Sequence, residues 1–93
     1  MDFEWDEAKR KANLAKHGLD FANAVQFGWE TASVTLDDRF DYGEEREIAL
    51  GLYGMDVHVV IYTPRGPRKR LISFRKATRR EAEKYYEEEK DRS

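Results

Sequence analysis

Eight cationic side chains and no acidic one lie between Pro64 and Arg80, in the sequence PRGPRKRLISFRKATRR. They are Arg65, Arg68, Lys69, Arg70, Arg75, Lys76, Arg79 and Arg80. The rest of the chain holds nine basic and 19 acidic residues, a net charge of −10 that nearly hides this segment in the overall value of −2. Such a separation of charge favours a polyanionic partner.

Arg75 and Lys76 follow the apolar run LISF, so both are expected at the end of a strand. RNA is one such polyanion, and if RNA is the partner, its cleavage without a metal would need a deprotonated 2′-hydroxyl, stabilised phosphate oxygens and a protonated leaving group. The planar fork of an arginine fits two phosphate oxygens. We therefore interpret Arg75 and Lys76 as catalytic candidates, and the alternative is a solvated basic edge without a catalytic role.

Two further residues are catalytic candidates. His17 is a candidate acid or base because its ordinary pKa is close to neutrality, although a histidine at a helix end is also favoured by the helix dipole. Arg46 is either a phosphate ligand or the partner of Glu45 or Glu47 in a structural ion pair. His58 lies among valines and is a weaker candidate than His17.

Five residues are candidates for RNA binding. Arg79 and Arg80 are expected in the first turn of the last helix, where a cation is unfavourable unless an anion is present. Lys9 and Lys16 share one face of the first helix, where they extend an RNA surface or simply keep the helix soluble. Tyr62 could stack on an unpaired base, but a tyrosine in such a strand is more often part of the core.

The acid-rich loop DDRFDYGEE invites a metal-nuclease hypothesis, because clustered carboxylates bind hard cations. The loop lacks the spacing of a calcium-binding loop, which favours a solvated loop. The chain contains no cysteine, so thiolate metal sites and disulfides are excluded. We expect no cofactor and no metal.

Helix signals are clear at both ends of the chain. The sequence predicts a first helix over Glu7–His17. Asp6 is the expected N-cap, and Gly18 is the expected residue in left-handed conformation that ends the helix. Asp20 is the expected cap of a second, shorter helix with an inward face of small and apolar residues, Phe21, Ala24, Val25 and Gly28. Thr78 and Glu81 have the spacing of a capping box and predict a last helix with Ala82, Tyr85 and Tyr86 facing inward.

The middle of the chain predicts strands. Ala32, Val34 and Leu36 alternate with polar residues, as in a strand with one buried face. Residues 46–53 and 55–63 should form an antiparallel hairpin, and residues 69–74 a fourth strand after a turn at residues 64–67 that breaks the pairing. The prediction is an α+β fold with two N-terminal helices, a four-stranded antiparallel sheet and a C-terminal helix.

The 93 residues predict one small domain. The N-terminus lacks the pattern of a signal peptide, and no apolar run approaches the ~20 residues that a membrane helix needs. We expect a soluble cytoplasmic protein without a membrane partner.

The opening FEWDEAKRKANLAKHGLDFANAV resembles the signature of the BrnT family of toxins. The residues that carry the resemblance are Phe3, Trp5, Asp6, Lys9, Asn13, Lys16, His17, Gly18, Phe21 and Ala24. It continues through Glu45, Arg46, Gly51, VVIYT at residues 59–63 and LISFRKAT at residues 71–78, and so covers nearly the whole chain. Phe74 departs from the family pattern, which has a small residue there.

The resemblance implies a ribonuclease toxin of a type II toxin–antitoxin pair with a RelE-like fold, and the lack of cysteine and of metal-ligand spacing predicts that it works without a metal. It also implies a small DNA-binding antitoxin that neutralises the toxin by direct contact and binds operator DNA together with it. Two other classes of protein would carry the same basic segment. A non-catalytic nucleic-acid-binding module would leave RNA intact, and an interaction protein would bind an acidic peptide instead.

Overall fold

A mixed sheet of five strands forms the centre of the computed structural model, which describes residues 1–92. The strands are β1 (Asp2–Trp5), β2 (Ser33–Leu36), β3 (Glu47–Tyr53), β4 (Asp56–Arg65) and β5 (Arg68–Lys76), in the spatial order β1-β5-β4-β3-β2. The helices are α1 (Glu7–His17), two 3₁₀ helices (Phe21–Gln26 and Trp29–Thr31) and α2 (Arg79–Arg92). The fold is α+β, as predicted.

The ends of α1 confirm the predicted bounds. Asp6 accepts a hydrogen bond from the backbone N–H of Ala8 at 2.8 Å. Gly18 adopts φ 71°, and its N–H donates to the carbonyl of Leu14 at 2.8 Å. A residue with a Cβ would be strained in this left-handed conformation, so the glycine ends the helix where the sequence indicates.

The second predicted helix is a 3₁₀ helix rather than an α-helix. Asp20 is its cap as predicted, accepting from the N–H of Ala22 at 3.0 Å. Phe21 and Ala24 are fully buried, whereas Val25 is 62% exposed, so its predicted inward position is wrong. A 3₁₀ helix has three residues per turn, which brings positions i and i+3 onto one face and turns i+4 away.

The prediction of four antiparallel strands is wrong in number and in direction. β1 pairs in parallel with the first half of β5, from Asp2 beside Arg68 to Trp5 beside Leu71. The other three strand pairs are antiparallel, and the hairpin of β3 and β4 is confirmed. The sequence did not reveal β1, because its four residues are too few for a clear alternation of polar and apolar side chains and its partner strand lies far away in the sequence.

β2 lies at the far edge of the sheet, and its predicted buried face is wrong. Val34 and Leu36 are 44% and 61% exposed. Val34 pairs with the fully buried Ala49, so it lies on the packed side of the sheet but beyond the residues that cover it. Alternation identifies which residues share a face and leaves open whether another element covers that face.

The turn between β4 and β5 is tighter than predicted. β4 continues through Pro64, which pairs with Lys69, and only Gly66 and Pro67 remain between the strands. The last pair of β4 with β3 involves Tyr62, so Pro64 lies past the point where β3 needs a donor from β4. A proline is tolerated in a strand where its missing N–H would have no partner.

Helices pack on both faces of the sheet. On one face, the first 3₁₀ helix and the residue after it cover the sheet. Their side chains, including Phe21 and Phe27, pack with Val60, Leu71 and Phe74. On the other face, Tyr85 of α2 packs against Leu50, Val57, Val59 and Ile61. Tyr85 is 2% exposed, but Tyr86 is 50% exposed and does not face inward as predicted. In the described part of the chain, no helix is long and apolar enough to cross a membrane.

Asn13 attaches α1 to the edge of β5. Its Nδ2 donates to the carbonyl of Phe74 at 2.8 Å and to that of Leu19 at 3.0 Å. Its Oδ1 accepts from the N–H of Phe74 at 3.1 Å. The pairing of β1 with β5 ends at Leu71, so the Asn13 amide makes the two hydrogen bonds to Phe74 that a neighbouring strand would make farther along.

Asn13→Ala should lower the free energy of unfolding by about 2 kcal/mol, because it leaves the buried N–H and carbonyl of Phe74 without partners. Urea unfolding followed by circular dichroism measures this value. Asn23→Ala, at an exposed position of the first 3₁₀ helix, is the matched control and should change it by less than about 0.5 kcal/mol. Equal effects of the two substitutions would contradict the role given to the Asn13 amide.

Candidate active site

An open cleft of about 260 Å³ separates α1 from the second half of β5. Its walls are Lys9, Ala12, Asn13, Lys16 and His17 from α1, and Ile72 and Ser73 from β5. Positions 9, 13, 16 and 17 follow helical spacing, so their side chains leave α1 on the same side. The structure therefore brings together three of the predicted site residues, Lys9, Lys16 and His17.

His17 is half-buried at the end of this cleft. Burial lowers the pKa of His17 below its ordinary value of 6.5, and the positive charges of Lys16 and Arg75 lower it further. Burial and neighbouring cations both disfavour the charged imidazolium. His17 is consequently neutral near pH 7, the form that can accept a proton.

Arg75 lies at the end of β5, as the sequence predicts, and is held there by a carboxylate. Its Nη1 and Nη2 donate to the two carboxylate oxygens of Glu81 at 2.8 and 2.9 Å. The side chains of Arg75 and Glu81 are 25% and 28% exposed. The guanidinium is thus fixed in orientation but remains accessible from one side.

Lys76 follows Arg75 but leaves the strand on the opposite face, because successive side chains of a strand alternate. Its Nζ lies 3.6 Å from a carboxylate oxygen of Asp56, and both side chains are largely exposed. An exposed pair of this kind contributes little to stability. Arg75 and Lys76 share the end of β5 without sharing a surface.

Arg79 and Arg80 occupy the first turn of α2, where the sequence predicts them, and both are exposed. Arg79 donates through Nε to Glu83 at 3.2 Å, and its side chain is 95% exposed. The predicted capping box is confirmed: the N–H of Thr78 donates to Glu81 at 2.9 Å, and the N–H of Glu81 donates to the Thr78 hydroxyl at 3.2 Å.

Tyr62 is part of the core. It is 2% exposed, and burial raises the pKa of its hydroxyl to about 12. Its ring packs edge-on against Trp29 at a centroid distance of 5.5 Å, and the Lys69 ammonium lies 4.8 Å from the ring centroid. Of the two interpretations that the sequence left open for Tyr62, a core position is therefore the correct one, because its ring face is not available to a base.

Arg46 lies apart from the cleft, just before β3. Its guanidinium carbon is 3.8 Å from the centroid of the Tyr42 ring, and its buried Nε has no hydrogen-bond partner among residues 1–92. Arg75 on β5 pairs with Val59 on β4, and Val59 pairs with Leu50 on β3. Leu50 is four residues along the chain from Arg46. That offset is ~13 Å along the strand, so the structure does not bring Arg46 together with Arg75.

Within the acid-rich loop, Arg39 forms an ion pair with Asp37. Asp37 accepts two hydrogen bonds from the Arg39 side chain, at 2.7 and 2.9 Å, and one from the Tyr42 hydroxyl at 3.1 Å. The bonds from Arg39 are the main cause that lowers the pKa of Asp37 to about 2. Within residues 1–92, His, Asp and Glu side chains form no group of three or more that could hold a metal ion.

Sequence reasoning missed two contacts that shape this site. The spacing of Thr78 and Glu81 predicts a capping box, but it does not reveal that the same carboxylate also binds Arg75. Asn13 carries part of the family resemblance, but the sequence does not reveal that its amide is buried against β5. An asparagine at 7% exposure in a charged helix carries no local signal of its distant partner.

Comparison with known proteins identifies the family. No curated protein matches the chain. A family model described as the ribonuclease toxin BrnT of type II toxin–antitoxin systems matches residues 5–81, which include α1, strands β2 to β5 and the start of α2. The matched region thus contains the cleft, His17, Arg75 and Glu81. The chain belongs to the BrnT family of ribonuclease toxins of type II toxin–antitoxin systems.

Proposed function

We propose that this chain is an endoribonuclease that cleaves RNA without a metal ion at the edge between α1 and β5, and thereby inhibits translation and growth. One observation carries the proposal. His17 at the end of α1 lines one cleft with Ser73 of β5, and Arg75 lies two residues beyond Ser73 on the same face of that strand. A proton acceptor and a phosphate-binding group therefore share one location.

The chemistry requires three groups to act on one phosphodiester. His17, neutral near pH 7, accepts the proton of the 2′-hydroxyl as that oxygen attacks phosphorus. The N–H groups of Arg75 that Glu81 leaves free donate to the non-bridging oxygens as their charge increases. The bond from phosphorus to the 5′-oxygen breaks, this oxygen takes a proton from water, and the hydroxide so formed takes back the proton held by His17. The products are a 2′,3′-cyclic phosphate and a 5′-hydroxyl.

Four further cations supply binding in this proposal. Lys9 and Lys16 line the cleft on α1, and Arg79 and Arg80 are exposed at the start of α2. In this proposal each contacts a phosphate that flanks the cleaved bond, and such contacts weaken as the salt concentration rises. Lys76 is a fifth such cation rather than a catalytic group, because it leaves β5 on the face opposite Arg75.

The partner in this proposal is a cognate antitoxin. Membership of a type II toxin–antitoxin family supports a protein partner that binds the toxin directly. We propose that this partner is a small DNA-binding protein, that it holds the toxin inactive, and that the complex binds operator DNA through the antitoxin. The toxin would act in the cytoplasm, where cellular RNA is translated.

Arg75→Ala should lower RNA cleavage by ~10²-fold or more and abolish growth inhibition, because it removes the main donors to the phosphate oxygens. Arg75→Lys should recover little activity, since an ammonium cannot replace the fork. Single-turnover cleavage of a labelled single-stranded RNA of mixed sequence measures the effect. Arg65→Ala, an equal loss of charge at the end of β4, is the control and should leave the rate unchanged.

The Arg75 variant also separates the rival functions. A folded Arg75→Ala protein that cleaves at the wild-type rate would remove this edge from consideration as the active site. A wild-type protein that binds the RNA and leaves it intact would instead be a non-catalytic binding module. A native thermal transition in each variant confirms that folded proteins are compared.

His17→Gln should lower the cleavage rate by ~10²-fold or more if His17 accepts the proton. The wild-type rate should rise with pH through an ionisation below 6.5 and level off near neutrality, because the pKa of His17 is lowered in the folded protein. The variant should lack that ionisation. If His17 serves only the helix end, its replacement will lower the melting temperature while the folded protein keeps the wild-type rate and pH profile.

Cleavage should continue at an unchanged rate in excess EDTA, because the proposed steps use only protein cations and a histidine. The assay is the same single-turnover reaction with and without chelator. Loss of activity in EDTA that Mg²⁺ or Mn²⁺ restores would refute the metal-independent mechanism.

A further inference from the structure

Glu81 is the group that determines where the Arg75 guanidinium points. Both of its oxygens accept hydrogen bonds from Arg75, at 2.8 and 2.9 Å, in the parallel two-bond geometry of a fork. Such bidentate pairs fix the orientation of the arginine as well as its position. Arg75 is therefore not a mobile cation at the end of β5.

The carboxylate of Glu81 is itself attached to the start of α2. Its Oε1 accepts from the backbone N–H of Thr78 at 2.9 Å, and its own N–H donates to the Thr78 hydroxyl at 3.2 Å. The pKa of Glu81 is lowered to about 2, mainly by the hydrogen bonds from Arg75, so Glu81 is ionised throughout the neutral range. One charged group thus connects the end of β5 to a helix backbone.

The pair leaves donors available for a phosphate. A guanidinium carries five N–H bonds, and Glu81 occupies one on each Nη. Nη1 also donates to the backbone carbonyl of Lys76 at 3.4 Å. The Nε–H and the remaining hydrogen on Nη2 form another fork on the side of the guanidinium. A phosphate can bind there without displacing Glu81.

We propose that Glu81 is a positioning residue for RNA cleavage, which holds Arg75 in the orientation that presents this second fork to the phosphate. The inference rests on the proposed role of Arg75. Donors fixed before the reaction need no reorganisation as charge develops on the phosphate oxygens, so the benefit falls on the chemical step. Glu81 also partly neutralises Arg75, and it therefore adds nothing to the attraction of RNA.

Glu81→Gln is the sharpest test, because glutamine also serves in a capping box but cannot accept both hydrogen bonds from Arg75. The single-turnover rate on a labelled single-stranded RNA of mixed sequence should fall at least about tenfold. The Kd for the same RNA should stay within about threefold of wild type or become tighter, because a negative charge is removed. A purely structural role for Glu81 would not change the rate of the folded protein at saturation.

Two control variants separate orientation from charge and from helix stability. Glu87→Gln removes the same charge from an exposed position of α2 and should cleave at the wild-type rate. Thr78→Ala removes the hydroxyl partner of the capping box but leaves the pair of Arg75 and Glu81 intact. It should lower the melting temperature without slowing cleavage by the folded protein.

A wild-type or faster rate for Glu81→Gln would overturn the proposal, and so would an equal loss in Thr78→Ala. Arg75→Ala distinguishes failure of the proposed active site from failure of the proposed role of Glu81. If it cleaves at the wild-type rate, the proposed active site fails; if it is inactive while Glu81→Gln is unimpaired, only the role of Glu81 fails. Should Glu81→Gln not fold, Glu81→Asp keeps the charge with a shorter reach, and a wild-type rate for it would overturn the proposal equally.

Discussion

The hydrogen bonds between the Asn13 side chain and the backbone of Phe74 hold the proposed active site together. β1 covers the edge of β5 only as far as Leu71, and beyond it the strand would expose unpaired backbone groups. The Asn13 amide pairs with one N–H and one carbonyl there. The second N–H of the amide donates to the carbonyl of Leu19. Because α1 is thereby fixed to β5, the cleft between them has a defined shape.

The charges around this cleft act on one another through Arg75. Burial lowers the pKa of His17, the positive charges of Lys16 and Arg75 lower it further, and Glu81 holds Arg75 in place while compensating part of its charge. The two effects serve different requirements of the same reaction. His17 must be neutral to accept a proton, whereas Arg75 must remain charged and oriented.

Local patterns in the sequence predicted local structure well. The N-cap at Asp6, the glycine at residue 18 and the capping box of Thr78 and Glu81 each depend on residues within a few positions of one another, and each is confirmed. β1 was missed because its pairing with residues 68–71 is distant in sequence. The double role of Glu81 was missed for a related reason: Arg75 precedes the helix, and only the turn between β5 and α2 brings the two side chains together.

The eight cations that stand together in the sequence do not form one surface in the structure. Four lie at the turn between β4 and β5, and four lie at the other end of β5, with the run LISF between the two groups. That run spans ~13 Å of extended strand. In the first group, Arg65 contacts Glu44, Arg70 contacts Glu4, and Lys69 lies over aromatic rings.

The first group is therefore largely engaged in contacts with other parts of the chain, whereas Arg75 of the second group lies on the strand face that lines the cleft. Within the second group, the carboxylate partners of Arg75 and Arg79 come from α2 itself, and Arg80 is exposed beside them. Counting basic residues along the sequence consequently overestimates the cations available to a single RNA strand at this site. The α1 lysines that line the opposite wall of the cleft supply positive charge that the basic segment alone does not indicate.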